Sequence, residues 1–106
     1  MSAKPIPPDV RAGIYIRSGG MCEGCGKRQG AEIQHRLPRS AGVSHDPANL
    51  MHLCKPCHDF CTSGSPREAR LRGWVVSRYG MAPELTTLDY RGRTKLLTSD
   101  YQVIPA

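Results

Sequence analysis

Four cysteines of this chain stand as two C-x-x-C pairs, Cys22 with Cys25 in "MCEGCGK" and Cys54 with Cys57 in "LCKPCHDFC". Four thiolates satisfy zinc in a closed tetrahedron. Each pair can hold the metal as a unit, and the pairs come from distant parts of the chain, so the pattern predicts a structural zinc. Gly24 and Gly26 bracket Cys25 and suit a tight knuckle around sulfur. A redox C-x-x-C is expected once, beside a βαβ pattern; this chain has two pairs and no such pattern. Cys61 is left over. Four residues beyond Cys57 on a helix, it is a near neighbour of the cluster and reads as packing.

Between and beside the pairs lie His35, Asn49 and His58, with thirteen residues separating His35 and Asn49 and eight separating Asn49 and His58. A neutral imidazole can take a proton from water near pH 7 and can ligate a metal. Taken singly, these residues are weak signals. His45, in a polar loop, and His52, as a half-exposed strand residue, read as spectators, and Asn49 beside Pro47 can be a turn former.

The order, spacing and nesting of "IQHRLPRSAG", "ANLMHLC" and "CKPCH" inside the two cysteine pairs resemble the HNH nuclease family. The resemblance covers about residues 9–73, and "SPREARLRGWVV" is similar to the continuation seen in HNH proteins of actinobacteria and their phages. It implies an α+β domain with a ββα-metal core, in which a hairpin and a helix surround one catalytic divalent ion, Mg2+, Mn2+ or similar. It also implies DNA phosphodiester hydrolysis that leaves a 5′ phosphate and a 3′ hydroxyl. In that reading the catalytic set is His35 as general base, His58 as ligand of the ion, and Asn49 holding the hairpin or the His35 ring. Arg36, Arg39 and Lys55 are placed in sequence to reach phosphates.

The chain departs from the family's pattern at Gln34, where a metal-ligating Asp or His is usual. An amide oxygen is a weaker ligand than carboxylate or imidazole. Thr62 stands where some members carry a further ligand His, so Asp59 or solvent would have to supplement a weakly held ion. Neighbouring strand residues also point to opposite faces, so Gln34 and His35 reach one ion only if the strand bends or ends there. The alternative is a zinc-stabilised DNA-binding module that does not cut, or a partner in a phage DNA-packaging or processing complex, such as one beside a terminase.

The remaining sequence must position these groups. In 106 residues, with 39% hydrophobic and 6% aromatic side chains, the core is thin, and thin cores need a staple. The formal charge of +6, with 15 Lys+Arg against 9 Asp+Glu, suits a polyanionic partner. "MSAKPIPPDV" has no apolar signal region, and no run approaches the roughly 20 apolar residues that cross a bilayer. The expectation is a cytoplasmic protein of a bacterium or phage-infected host, away from membranes, where thiols stay reduced.

The chain reads as one domain: a mobile Pro-rich arm over 1–8, a zinc-stapled core over 9–73 and an accessory β tail over 74–106. Asp9 caps a helix that ends at Gly19-Gly20, with Val10, Ile14 and Arg17 on one face. "AEIQHRL" and "LMHL" are the strands of a hairpin with a long connection. A helix starts near Lys55-Pro56 and ends near Gly64, and another runs from a Ser65 cap, with Glu68 completing a capping box, to Gly73. "WVVSRY" is β-rich, and "TTLDYRGRTKLLT" forms a hairpin turning at Arg91-Gly92.

Overall fold

Two prolines set the start of the first helix, α1 (Pro8–Ser18). Pro7 is its cap and Pro8 its first residue, where a fixed φ and a missing N–H cost nothing, so Asp9 falls in the first turn and not at the cap. Gly19, at φ 65°, closes the helix in the left-handed conformation that glycine tolerates. Ile14 is fully buried on the inner face. Ile6, in the segment expected as a mobile arm, packs beside it and Leu50, while residues 1–4 of that segment lie outside the described residues. The computed structural model describes residues 5–37, 45–64, 66–76, 87–88 and 92–105.

Strands β1 (Glu32–His35) and β2 (Leu50–Leu53) pair antiparallel, with Glu32 opposite Leu53 and His35 opposite Leu50. A two-stranded ribbon is marginal alone, and this one is buried on both sides. Strand alternation puts Ile33 against the Ile6–Ile14–Leu50 cluster, while Met51 and Leu53 join Cys54, Cys61, Ala69 and Trp74 in a second cluster. Helix α2 (Lys55–Asp59) follows β2 directly and continues as a wider π turn over Phe60–Gly64. Helix α3 (Pro66–Leu71) comes next; Ser65, its expected cap, lies outside the described residues. The hairpin and α2 form a ββα unit in a small α+β domain.

The mouth of the hairpin is clamped by Asn49, which is 2% exposed. Its side-chain oxygen accepts from the Leu37 N–H at 2.9 Å, and its backbone carbonyl accepts from the Arg36 N–H at 2.7 Å. Asp46 caps the short 3-10 turn at Pro47–Asn49 by accepting from the Ala48 N–H at 2.9 Å.

His52, expected to be half-exposed, is fully buried because α1 covers it. Its ring lies 4.3 Å from that of Tyr15, and Ser18 Oγ is 2.8 Å from its Nδ1. Burial holds its proton affinity below the ordinary imidazole value, with the Glu23 carboxylate and the Gly30 backbone opposing. His52 therefore folds neutral, and acid below about pH 6.5 favours the unfolded chain, where it protonates freely. The ring also sits against bare backbone: a Cβ on Gly30 would come within 2.3 Å of Nε2. Gly30→Ala is expected to lower stability by about 1–3 kcal/mol through overpacking, measured as a shift in the denaturant midpoint at constant slope.

Residues 74–76 form no strand. Trp74 and Val76 are drawn into the core instead, and the Val76 N–H donates to the Arg36 carbonyl at 2.7 Å; residues 77–79 lie outside the described set. Strands β3 (Thr87–Leu88) and β4 (Thr94–Leu97) pair antiparallel, as expected; Arg91, the expected turn residue, lies outside the described residues. A third strand, β5 (Val103–Pro105), which the sequence did not suggest, pairs with β4. Ser99 donates to Asp46 at 2.8 Å and docks this tail near the hairpin mouth. No helix among the described residues is long and apolar enough to cross a membrane.

Candidate active site

The sulfurs of Cys22, Cys25, Cys54 and Cys57 all lie within 4.8 Å of one another. A tetrahedron with Zn–S bonds of about 2.3 Å has edges of about 3.8 Å, and Cys25 and Cys54 stand 3.8 Å apart. The knuckle turns backbone donors onto sulfur: Gly24 and Cys25 N–H onto Cys22 at 3.4 Å each, and Lys27 N–H onto Cys25 at 3.5 Å. Burial opposes the Cys25 thiolate, but the Lys27 N–H and the neighbouring thiols outweigh it and bring Cys25 down to about 7. Burial pushes Cys54 and Cys57 up, and Cys22 adds to the rise at both, although Cys57 itself opposes it at Cys54. Crowded thiols resist sharing negative charge, and a divalent cation among them removes that conflict. The donor set therefore fits zinc. Cys61 is buried in the adjoining core and is not one of the four.

On the other side of α2 lies a cleft of about 430 Å³, whose lining includes Gln34, His35, His58, Cys61 and Thr62. His58 follows Cys57 and so sits about 100° round the helix from it. Its Nδ1 is 2.8 Å from Glu32 Oε2. Gln34, 7% exposed, donates its amide N–H to the Trp74 carbonyl at 2.9 Å, while its Oε1 is buried with no hydrogen-bond partner among the described residues. His35 is on the opposite strand face, yet as the last residue of β1 it still lines the cleft. The strand ends where both residues need it to.

His45, expected as a spectator, meets His35: its Nδ1 is 3.2 Å from His35 Nε2, with the rings tilted at 57°. Thr62 donates its hydroxyl to the His58 and Asp59 carbonyls at 3.2 and 3.4 Å. Asp59 pairs at 3.5 Å with Lys55, both exposed. Among the described residues, the four cysteines are the one cluster of three or more Cys, His, Asp or Glu side chains that could hold an ion. An ion in the cleft would rest on His58 nitrogen, the orphaned Gln34 oxygen and water. That fits a hard, weakly bound cation that keeps much of its hydration.

Arg36 does not fit the expected role of phosphate contact. It is fully buried and donates through Nε to the Gly73 carbonyl at 3.0 Å and through Nη1 to the Ala48 carbonyl at 2.8 Å. Burial and then the charge of Arg17 lower its pKa to about 10, with Glu23 opposing, so it stays charged at neutral pH. It ties the hairpin mouth to the segment after α3. Arg36→Ala is expected to cost on the order of 3 kcal/mol, since hydrogen bonds from a charged donor are worth about 1.5–3 kcal/mol. A phosphate role predicts the opposite pattern, an unchanged melt with weakened DNA binding; parallel melting and binding curves decide. Lys55 is exposed, and Arg39 lies outside the described residues.

Residues 22–63 match the family model described as HNH endonuclease. The chain is also 35% identical over 60 residues to the type IV methyl-directed restriction enzyme EcoKMcrA of Escherichia coli (strain K12). That likeness covers 48% of this chain and 22% of the relative. No solved structure matches at a comparable level. The matched stretch runs from the first cysteine of the sulfur cluster to the π turn after α2, and holds both sites. The segment that matches the HNH endonuclease model, residues 22–63, is thus built as a hairpin and helix with a four-cysteine cluster at its side.

Proposed function

We propose that this domain is a divalent-metal-dependent DNA endonuclease. The observation that carries this reading is that His35 and His58 line one cleft, inside the segment that matches the HNH family. His35 takes the proton of a water that attacks phosphorus in line. His58 and the Gln34 oxygen would hold a cation there, which would supply charge stabilisation to the phosphate and the leaving oxygen. Asn49 keeps the strand end in place through the Leu37 N–H. Lys55 and Arg39 reach flanking phosphates. The four cysteines hold a structural zinc that fixes α2. Phosphate contacts carry no sequence information, so nicking or weakly specific cutting is the expected product pattern.

The neutral Gln34 and Thr62 positions favour one rival, a zinc-stabilised module that binds DNA without cutting it. A plasmid-nicking assay with and without Mn2+, on wild type and His35→Ala, separates the two. Cutting by wild type that needs the ion and His35 supports the nuclease. DNA binding by both proteins with no cutting under any divalent ion would falsify it.

A further inference from the structure

We propose that Glu32 is a positioning residue for His58: it fixes the ring as the Nδ1–H tautomer and leaves Nε2 as the nitrogen available to a cation in the cleft. Its value for metal binding rests on the proposed function; its hold on the ring does not. Glu32 Oε2 and His58 Nδ1 are 2.8 Å apart. An ionised carboxylate can only accept, so the shared proton belongs to Nδ1 when the ring is neutral. A histidine ligand with one nitrogen tied to a carboxylate is oriented and made more basic at the other.

Three features make this contact matter in this chain. Glu32 and Gln34 are two apart on β1, so they share the face that α2 covers. His58 is bonded to Cys57, so the sulfur cluster places its backbone while Glu32 places its ring. With His35 assigned to the base and Gln34 a neutral amide, His58 is the strong donor that the proposed ion relies on, so a misoriented ring weakens the site directly. The Glu32 and His58 side chains are 41% and 28% exposed. A contact so open to solvent adds little to stability, and its loss should be read in the ring and the cation, not in the melt.

The test uses the zinc-loaded, 15N-labelled full chain at about pH 8, above the titration range of a free imidazole, with Mn2+ as probe. Long-range 1H–15N spectra report the His58 tautomer, and paramagnetic resonance reports Mn2+ affinity. Wild type should show Nδ1–H. Glu32→Ala should move His58 toward the Nε2–H form that free imidazole side chains prefer, and weaken Mn2+ by about 10–100-fold, with melting unchanged. Glu32→Gln, whose amide oxygen still accepts the proton, should keep the tautomer and most of the affinity.

An unchanged tautomer in Glu32→Ala overturns the proposal. So does an unchanged Mn2+ affinity in that variant when His58→Ala loses it. If Glu32→Gln keeps the tautomer but binds Mn2+ as poorly as Glu32→Ala, Glu32 is itself a ligand and the positioning role is wrong. If His58→Ala binds Mn2+ like wild type, the cation reading of the cleft fails, and the ring spectra alone then decide whether Glu32 holds His58.

Discussion

Cys22→Ser is expected to yield a chain with no cooperative melt at room temperature. Structural zinc binds zinc-finger peptides with an apparent 10–16 kcal/mol or so at neutral pH, and a domain's whole stability is about 5–15 kcal/mol. The loss does not stop at one sulfur. Cys22 accepts two of the knuckle's N–H groups, so the turn that carries Glu23 loses its shape. Glu23 receives Arg17 at 2.7 and 2.8 Å, and also the His52 N–H at 2.8 Å, which joins α1 to the hairpin. Arg17 in turn donates to the Pro47 and Leu50 carbonyls. Loss of a metal held there would therefore loosen the knuckle, the helix and the hairpin together. Circular dichroism and zinc analysis per chain test this on the variant, and a strong chelator should reproduce the effect in wild type. A zinc-free Cys22→Ser protein that melts like wild type would show that the apolar clusters suffice.

His35→Ala is expected to lower cutting by about 10²–10⁴-fold, the usual contribution of a general base, while folding and DNA binding stay close to wild type. The strand end does not depend on the imidazole. The Asn49 carbonyl and side-chain oxygen hold the Arg36 and Leu37 N–H groups, and the Arg36 guanidinium holds Gly73 and Ala48. What is removed is a half-buried ring at the cleft, beside His45. Single-turnover nicking at saturating Mn2+, with a melt and a binding curve on the same preparation, separates loss of chemistry from loss of fold. Nicking at the wild-type rate would move the base to another residue.

The sulfur site could be read from the sequence because C-x-x-C spacing builds its own local geometry, and both pairs need only be brought together. "LMHL" became β2, and Ile14 became the buried centre of α1, because short-range pattern decides such elements. Glu32 was missed. Its place on the Gln34 face follows from strand alternation, but which side chain of α2 would stand opposite depends on packing that no local pattern encodes. Arg36 was misplaced because a basic residue beside a catalytic candidate suggests surface, whereas backbone carbonyls from two distant segments take its guanidinium inward. His45 meets His35 from ten residues along the chain, a contact that no local pattern marks. The third tail strand includes Pro105 and is exposed along its length, so neither alternation nor propensity marks it.

Because Cys57 and His58 are consecutive, the two metal functions of the proposed reading would share one peptide bond. Loading would then have a fixed order. A chain without zinc would offer no formed cleft to magnesium or manganese, however abundant they are, whereas a zinc-filled chain would still require the weaker ion from its surroundings. Cutting would rise with free zinc as steeply as the folding transition it drives, and with magnesium only as gradually as a shallow binding curve. Under zinc limitation the protein would be lost to proteolysis before it could be idle, so zinc supply would set how much nuclease exists and magnesium how fast each copy works.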